Sequence, residues 1–186
     1  MKTEIEQTVA VLKRGGIILY PTDTVWGIGC DATNETAIER VFKLKKRVES
    51  KSLICLVNDL NMLHQYVEEV PKAALDILKF AIKPTTIIYE DPIRVAHNLI
   101  ADDNSLGIRI VDDEFCQKLI RKFKRPIVST SANVSGDSTP NGFQEISSEI
   151  LEGVDYVVNL HQNRKAGKPS AIIKLQNDGT VTVIRN

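Results

Sequence analysis

The turn near the end of the chain is the strongest constraint on its fold. Residues 171–175 and 180–184 alternate around Asn177-Asp178-Gly179. An Asp-Gly step between such runs signals a tight antiparallel hairpin, because glycine takes the positive φ the turn needs. Earlier apolar runs, at 17–20, 53–57, 85–89 and 106–111, are separated by helical patterns. Strands spaced in this way are joined by crossovers. Hairpin and crossover strands together predict an α/β fold, a mixed sheet with helices packed on it.

The helical patterns have readable ends. Ile5, Val9 and Leu12 share a face before Gly15-Gly16 supplies a stop. Asn34 is placed to cap a helix over 35–46, so residues 17–57 read as strand, loop, helix, strand, a βαβ-like unit. Pro71 suits the first turn of a helix to about residue 82. Residues 91–104 read as loop. Asp112 or Asp113 caps a helix to Phe123, with Phe115, Leu119 and Ile120 inward. Residues 126–128 begin another strand, 143–151 read as helix and 156–159 as a short strand. No linker divides the chain, so residues 1–186 are expected to form one domain.

Composition narrows the function classes. With 186 residues, 42% apolar and 26% charged, the chain can bury a core without disulfides or structural metal. A formal net charge of zero argues against a purely electrostatic nucleic-acid binder. The three cysteines, Cys30, Cys55 and Cys116, are widely spaced and form no CxxC, which fits a reducing compartment and a cytoplasmic location. No apolar run approaches the ~20 residues of a membrane span, and the charged, amphipathic start does not resemble a signal peptide.

Four stretches carry polar chemistry. The first is the apolar run 17–20, stopped by Pro21 and followed by Thr22, Asp23, Thr24, Trp26, Gly27 and Gly29. Hydroxyls and a carboxylate beyond a strand end, beside glycines that let a ligand approach, describe a small-molecule site; the alternative is a glycine-rich turn capped by Asp or Thr. The second is the basic cluster Lys43, Lys45, Lys46, Arg47 and Lys51, either a phosphate-binding edge or favourable charge at a helix C-terminus. The third is Ser129-Thr130-Ser131-Ala132-Asn133 with Ser135-Gly136, groups able to orient a phosphate, a ribose or an amino acid, or else a cap and turn. No His or acid lies close by, and GxSxG is missing, so a serine nucleophile is not indicated. The fourth is Arg109, set in an apolar strand, which requires a ligand carboxylate or a salt bridge to one of the aspartates. His64, His97 and His161 lack metal-ligand spacing. Neither a Walker A loop nor GxGxxG occurs.

In combination these residues resemble the YrdC-like family of threonylcarbamoyl-AMP synthases. Residues 20–29, YPTDTVWGIG, are similar to its YPTxTVYGLG motif, and 129–136 match STSANxSG in full. Lys45-Lys46-Arg47 resembles its KxR motif, Lys83-Pro84-Thr85-Thr86 part of PGPxT, Ile108-Arg109-Ile110 its VRxP strand and Pro169-Ser170-Ala171 its PST. Val48 and Ser52 replace family prolines, which implies a looser loop after Arg47. Lys83 replaces a glycine, and Trp26 a smaller aromatic.

The resemblance implies a twisted mixed α/β sheet with a large positive concave cavity. It implies a reaction that joins L-threonine, bicarbonate and ATP, with Mg2+, into threonylcarbamoyl-AMP and pyrophosphate. Partner proteins then transfer the threonylcarbamoyl group to tRNA. By motif, Lys45, Arg47, Ser131 and Asn133 form the catalytic tetrad. Arg47, Lys51, Ser105, Asn133, Asn141 and Arg185 are expected on ATP, and Thr24, Arg109, Ser131 and Ser170 on threonine. No residue serves as a protein metal ligand in this scheme. The alternative reading is a non-catalytic RNA-binding module of the same fold, making direct RNA contact. A carbamoyl transferase of the hydrogenase-maturation type ranks third, because its zinc-finger-like cysteines have no counterpart here.

Overall fold

Helix α1 (Lys2–Lys13) turns Ile5, Val9 and Leu12 inward, as their spacing predicts, in a computed structural model that describes residues 1–46 and 53–186. Gly15 ends it at φ +77°, a left-handed conformation natural to glycine. Gly16 N donates to Val11 O at 2.9 Å. Strands β1 (Ile18–Tyr20) and β2 (Gly27–Gly29) follow. Asn34 caps α2 (Glu35–Leu44) by accepting from Ala37 N. Then come β3 (Ile54–Val57), α3 (Leu60–Tyr66), α4 (Lys72–Phe80), β4 (Thr85–Glu90) and β5 (Ser105–Ile110). Asp113 caps α5 (Glu114–Phe123), with Phe115, Leu119 and Ile120 buried. The chain continues through β6 (Ile127–Ser131), α6 (Ser148–Gly153) and β7 (Tyr156–Val157) to the hairpin β8 (Ala171–Leu175) and β9 (Val181–Arg185). Gly179 sits in that turn at φ +89°.

The described residues form a nine-stranded sheet in the order β7-β1-β2-β6-β3-β5-β4-β8-β9. β1 runs parallel to β7, β3 to β5 and β4 to β8, and the other neighbours are antiparallel. The mixed sheet is therefore as expected, but the βαβ unit at 17–57 is not. β1 turns straight back into β2, and β2 and β6 separate it from β3. β2 has three residues, two of them glycine, so it shows no strand propensity and escapes a pattern reading. Helix α3, capped by Asp59 on Met62 N, lies in a stretch that the periodicity left unassigned.

The glycines of β2 also take a different role from the one expected. A Cβ on Gly29 would lie 2.5 Å from Val128 O and 2.7 Å from Tyr20 Cε1. One on Gly27 would lie 3.4 Å from the same ring atom. The motif's glycines thus admit the buried Tyr20 ring, the neighbouring strand and, at Gly27, the Ser129 hydroxyl, whose Oγ would lie 3.2 Å from a Cβ there. Tyr20 OH donates to Val128 O at 3.3 Å, pinning β1 to β6 across β2. The buried Trp26 ring lies tilted against Phe143, with ring centroids 5.0 Å apart.

Candidate active site

Alternation along the central strands gathers one polar set on one face. Gly107 and Arg109 of β5 share a face. Ile54 of β3 lies opposite Gly107, and Ser129 of β6 opposite Ile54. Ile172 of β8 lies opposite both Thr86 of β4 and Arg185 of β9. Ile54, Thr86, Arg109, Ser129, Ile172 and Arg185, with Thr22, Thr24, Ser131 and Ser170, line a cavity of about 220 Å³. Gly107 lets side chains of β3 and β4 meet across β5: a Cβ there would lie 3.0 Å from Ile54 Cγ2 and 3.3 Å from Thr86 Cγ2.

Arg109 is the charged group that β5 brings to this cavity. It is 2% exposed, and burial of a guanidinium requires a partner. Nη1 donates to Asp23 Oδ1 at 2.5 Å, and Nη2 reaches Thr24 Oγ1 at 3.4 Å. Nε is buried with no partner among the described residues. The structure therefore contains the salt bridge that the sequence offered as one option, with donors still open for the other.

The loop holding Asp23 and Thr24 is built by its own hydroxyls. Thr22 Oγ1 accepts from Thr24 N at 3.1 Å, contacts Thr24 Oγ1 at 3.0 Å and donates to Val25 O at 2.8 Å. From outside, Gly167 N donates to Thr24 O at 2.6 Å. On the opposite wall, Ser170 Oγ and Thr86 Oγ1 are 2.9 Å apart. Arg185 Nε donates to Ser170 O at 2.8 Å, and Nη2 lies 3.4 Å from Ser170 Oγ. Partial desolvation, then repulsion from Arg109, holds the Arg185 guanidinium below its usual pKa. Two cations thus act on one cavity, and among the described residues no carboxylate bridges Arg185.

Lys45 joins two of the chemistry-bearing stretches. Its side chain is buried, and Nζ donates to Ser131 O at 2.5 Å and Asn133 O at 2.6 Å. Its own carbonyl accepts from Ser135 N at 2.8 Å. Asn133 Nδ2 donates to Asp137 O at 2.8 Å, while its Oδ1 and Ser135 Oγ are buried without a partner among the described residues.

Of the expected site residues, Thr24, Arg109, Ser131, Ser170 and Arg185 meet around this cavity. Lys45 and Asn133 stand behind Ser131 and do not line it. Ser105 begins β5, four residues from Arg109, and donates to Asp103 Oδ1 at 2.5 Å, so it belongs to the opposite end of the strand. Asn141 is exposed and paired with Glu145, at 3.0 Å from Nδ2. Arg47, Lys51 and the proline replacements Val48 and Ser52 lie outside the described residues. The sequence reading missed Thr86 as a site residue, although Thr85-Thr86 after Pro84 belongs to a stretch it singled out. Among the described residues no three His, Cys, Asp or Glu side chains cluster as metal ligands. No helix among them is long and apolar enough to cross a membrane.

Comparison with known proteins places this geometry. A protein of Methanocaldococcus jannaschii is 36% identical over 171 residues, spanning 91% of this chain and 79% of its own length. A threonylcarbamoyl-AMP synthase of Pseudoalteromonas translucida is 32% identical over 164 residues, spanning 85% of this chain and 86% of its own. P. abyssi Sua5, solved in complex with L-threonine, superposes with a TM-score of 0.82 at 24% identity, over 94% of this chain and 52% of that one, and so shares the fold. The model of the Sua5, YciO and YrdC proteins, described as "Telomere recombination", matches residues 10–186. From this match, and from relatives aligned over most of their length, the chain belongs to the Sua5/YciO/YrdC family.

Proposed function

We propose that this protein is an L-threonylcarbamoyladenylate synthase, a nucleotidyltransferase that makes threonylcarbamoyl-AMP for tRNA modification. The observation that carries the reading is the convergence of Thr24, Arg109, Ser131, Ser170 and Arg185 on one cavity. Relatives at this level of identity bear the synthase name, which supports the catalytic reading over an RNA-binding module.

The amine of L-threonine attacks the carbon of bicarbonate, and water is lost as the carbamate forms. A carbamate oxygen then attacks the α-phosphorus of ATP, and pyrophosphate leaves. Arg109 takes the threonine carboxylate through its open donors, and the hydroxyls of Thr24, Ser131 and Ser170 orient the rest of the amino acid. Arg185 offers positive charge to the nucleotide, as do Arg47 and Lys51 by the family resemblance, easing the charge that develops on the leaving group. Lys45 and Asn133 hold the strand end that presents Ser131. A shared cavity holds the reactants together and limits the water that would destroy a carbamate. Bound with ATP, magnesium would supply positive charge to the phosphate oxygens, in keeping with its preference for such oxygens and water. The product passes to proteins that transfer the threonylcarbamoyl group to tRNA, in the cytoplasm.

The test is pyrophosphate release by the purified protein with MgATP, bicarbonate and L-threonine. Release is expected to require both threonine and bicarbonate. Release at the no-threonine background by folded protein would sink the reading.

A further inference from the structure

We propose that Asp23 is a positioning residue: by holding Nη1 of Arg109, it aims the Nε–Nη2 edge of the guanidinium at the cavity as a carboxylate-binding fork. The inference rests on the threonine-binding reading above and assigns how that site tells a carboxylate from other groups.

Asp23 acts from behind the wall. Arg109 lines the 220 Å³ cavity, whereas Asp23 does not. Asp23 lines a separate, wider groove together with Asn58, Asp59, Ile110 and Asp112. The ion pair therefore bridges the partition between two spaces, with the cation on the ligand side. The carboxylate is anchored at both oxygens. Oδ1 accepts from Arg109 Nη1 at 2.5 Å, and Oδ2 accepts from the backbone N–H of Asp112 at 3.3 Å. Its side chain is 8% exposed, so it has little freedom to follow a ligand.

The guanidinium geometry does the rest. Its donors form a rigid planar fork, and two parallel N–H groups match the two oxygens of one carboxylate. Pairing Nη1 with Asp23 occupies one of its two N–H groups, and the edge that carries no charged partner among the described residues is Nε with Nη2. Among the described residues Nε is buried and unpartnered, and Nη2 has only the 3.4 Å approach to Thr24 Oγ1. A carboxylate on this edge would satisfy Nε and displace or share the long contact to Thr24. Asp23 also balances the charge of Arg109.

The experiment measures binding of L-threonine, L-threoninamide and MgATP by calorimetry to the full chain, as wild type and Asp23→Asn, with thermal melts as the folding control. Wild type is expected to prefer L-threonine over the amide at least tenfold. Asp23→Asn is expected to weaken L-threonine at least tenfold, bring the acid-to-amide preference below threefold and leave MgATP affinity within twofold. A merely structural role would weaken all three ligands together, and that outcome overturns the proposal. So does an unchanged preference in folded Asp23→Asn. If Asp23→Asn does not fold, Asp23→Glu is read in its place. The extra methylene moves the anchoring oxygens, and an acid-to-amide preference within threefold of wild type overturns the proposal. Wild-type protein that binds no L-threonine overturns both the synthase reading and this one. Wild-type binding with an unaffected variant overturns this one alone.

Discussion

At the scale of single residues, burial decides what each charge can do. Lys45 stands in a cluster that suggested a phosphate-binding edge, yet its ammonium is buried against the carbonyls of Ser131 and Asn133. Lys45→Met keeps the stem's packing and leaves those acceptors without this donor. A loss of about 1–3 kcal/mol is expected, measurable by urea denaturation, with faster amide exchange in residues 131–137. Unchanged exchange there would show that Lys45 does not hold the strand end. Arg109 presents the complementary case. Arg109→Ala strands the buried Asp23 carboxylate, which costs about 3–5 kcal/mol for pairs of this kind. Adding Asp23→Ala is expected to recover part of that loss, because no unpaired charge is left inside. A double variant less stable than Arg109→Ala would contradict the pairing argument. Both variants should also lose threonine-dependent pyrophosphate release. The sequence announced Arg109 through its apolar strand, but its partner lies 86 residues away. With each partner so distant, no local pattern could choose Asp23 from the other aspartates.

At the scale of elements, local chemistry was legible and neighbour relations were not. The caps at Asn34 and Asp113 and the stop at Gly15 depend on atoms within a few residues, and they fall where the sequence places them. So does the turn at Gly179. The βαβ expectation failed because β2 is set by packing. Its glycines give no strand signal of their own, and their reason is the Tyr20 ring and the Val128 carbonyl, which belong to other strands. Gly29→Ala therefore tests the hairpin rather than the ligand site. The new methyl would need to move a strand backbone, not the tip of a flexible side chain. Overpacking of this sort costs about 1–3 kcal/mol. Urea denaturation of Gly29→Ala is expected to show at least that loss, with L-threonine affinity changed less than in Asp23→Asn. A stability equal to wild type would mean that β1 and β6 have more room than their spacing allows. The cavity was legible to the same degree. Thr24, Arg109, Ser131 and Ser170 stand in legible motifs, whereas Thr86 reaches the cavity through the pairing of β4 with β8, a neighbour relation that no local pattern encodes.

The whole molecule carries its thiols inside, and this gives it a definite response to alkali. Cys30, Cys55 and Cys116 are free and buried. Burial pushes all three thiols up from the ordinary value of 9.0, with nearby negative charge adding to the effect. The Tyr20 hydroxyl is likewise pushed up from 10.0 by burial. Above about pH 9 the unfolded chain releases thiol protons that the folded chain retains. The native state then binds more protons than the unfolded one, so stability falls as pH rises. The contribution is fully present below the unfolded pKa and is lost progressively above it. Each fully ionised thiol adds a slope of about 1.4 kcal/mol per pH unit, so three thiols reach about 4 kcal/mol per unit. Total stabilities of about 5–15 kcal/mol are usual for domains, so two units of this slope rival the whole. Urea denaturation between pH 7.5 and 10.5 is expected to give a flat stability near neutrality and a steepening decline past pH 9. Replacing all three cysteines with alanine should lower stability at pH 7.5 through lost packing while flattening the alkaline decline, leaving the later descent due to the buried tyrosines, Tyr20 and Tyr89 foremost. A decline of equal steepness in the cysteine-free protein would place its origin elsewhere, in groups that lose charge at the surface rather than in thiols that gain it on unfolding.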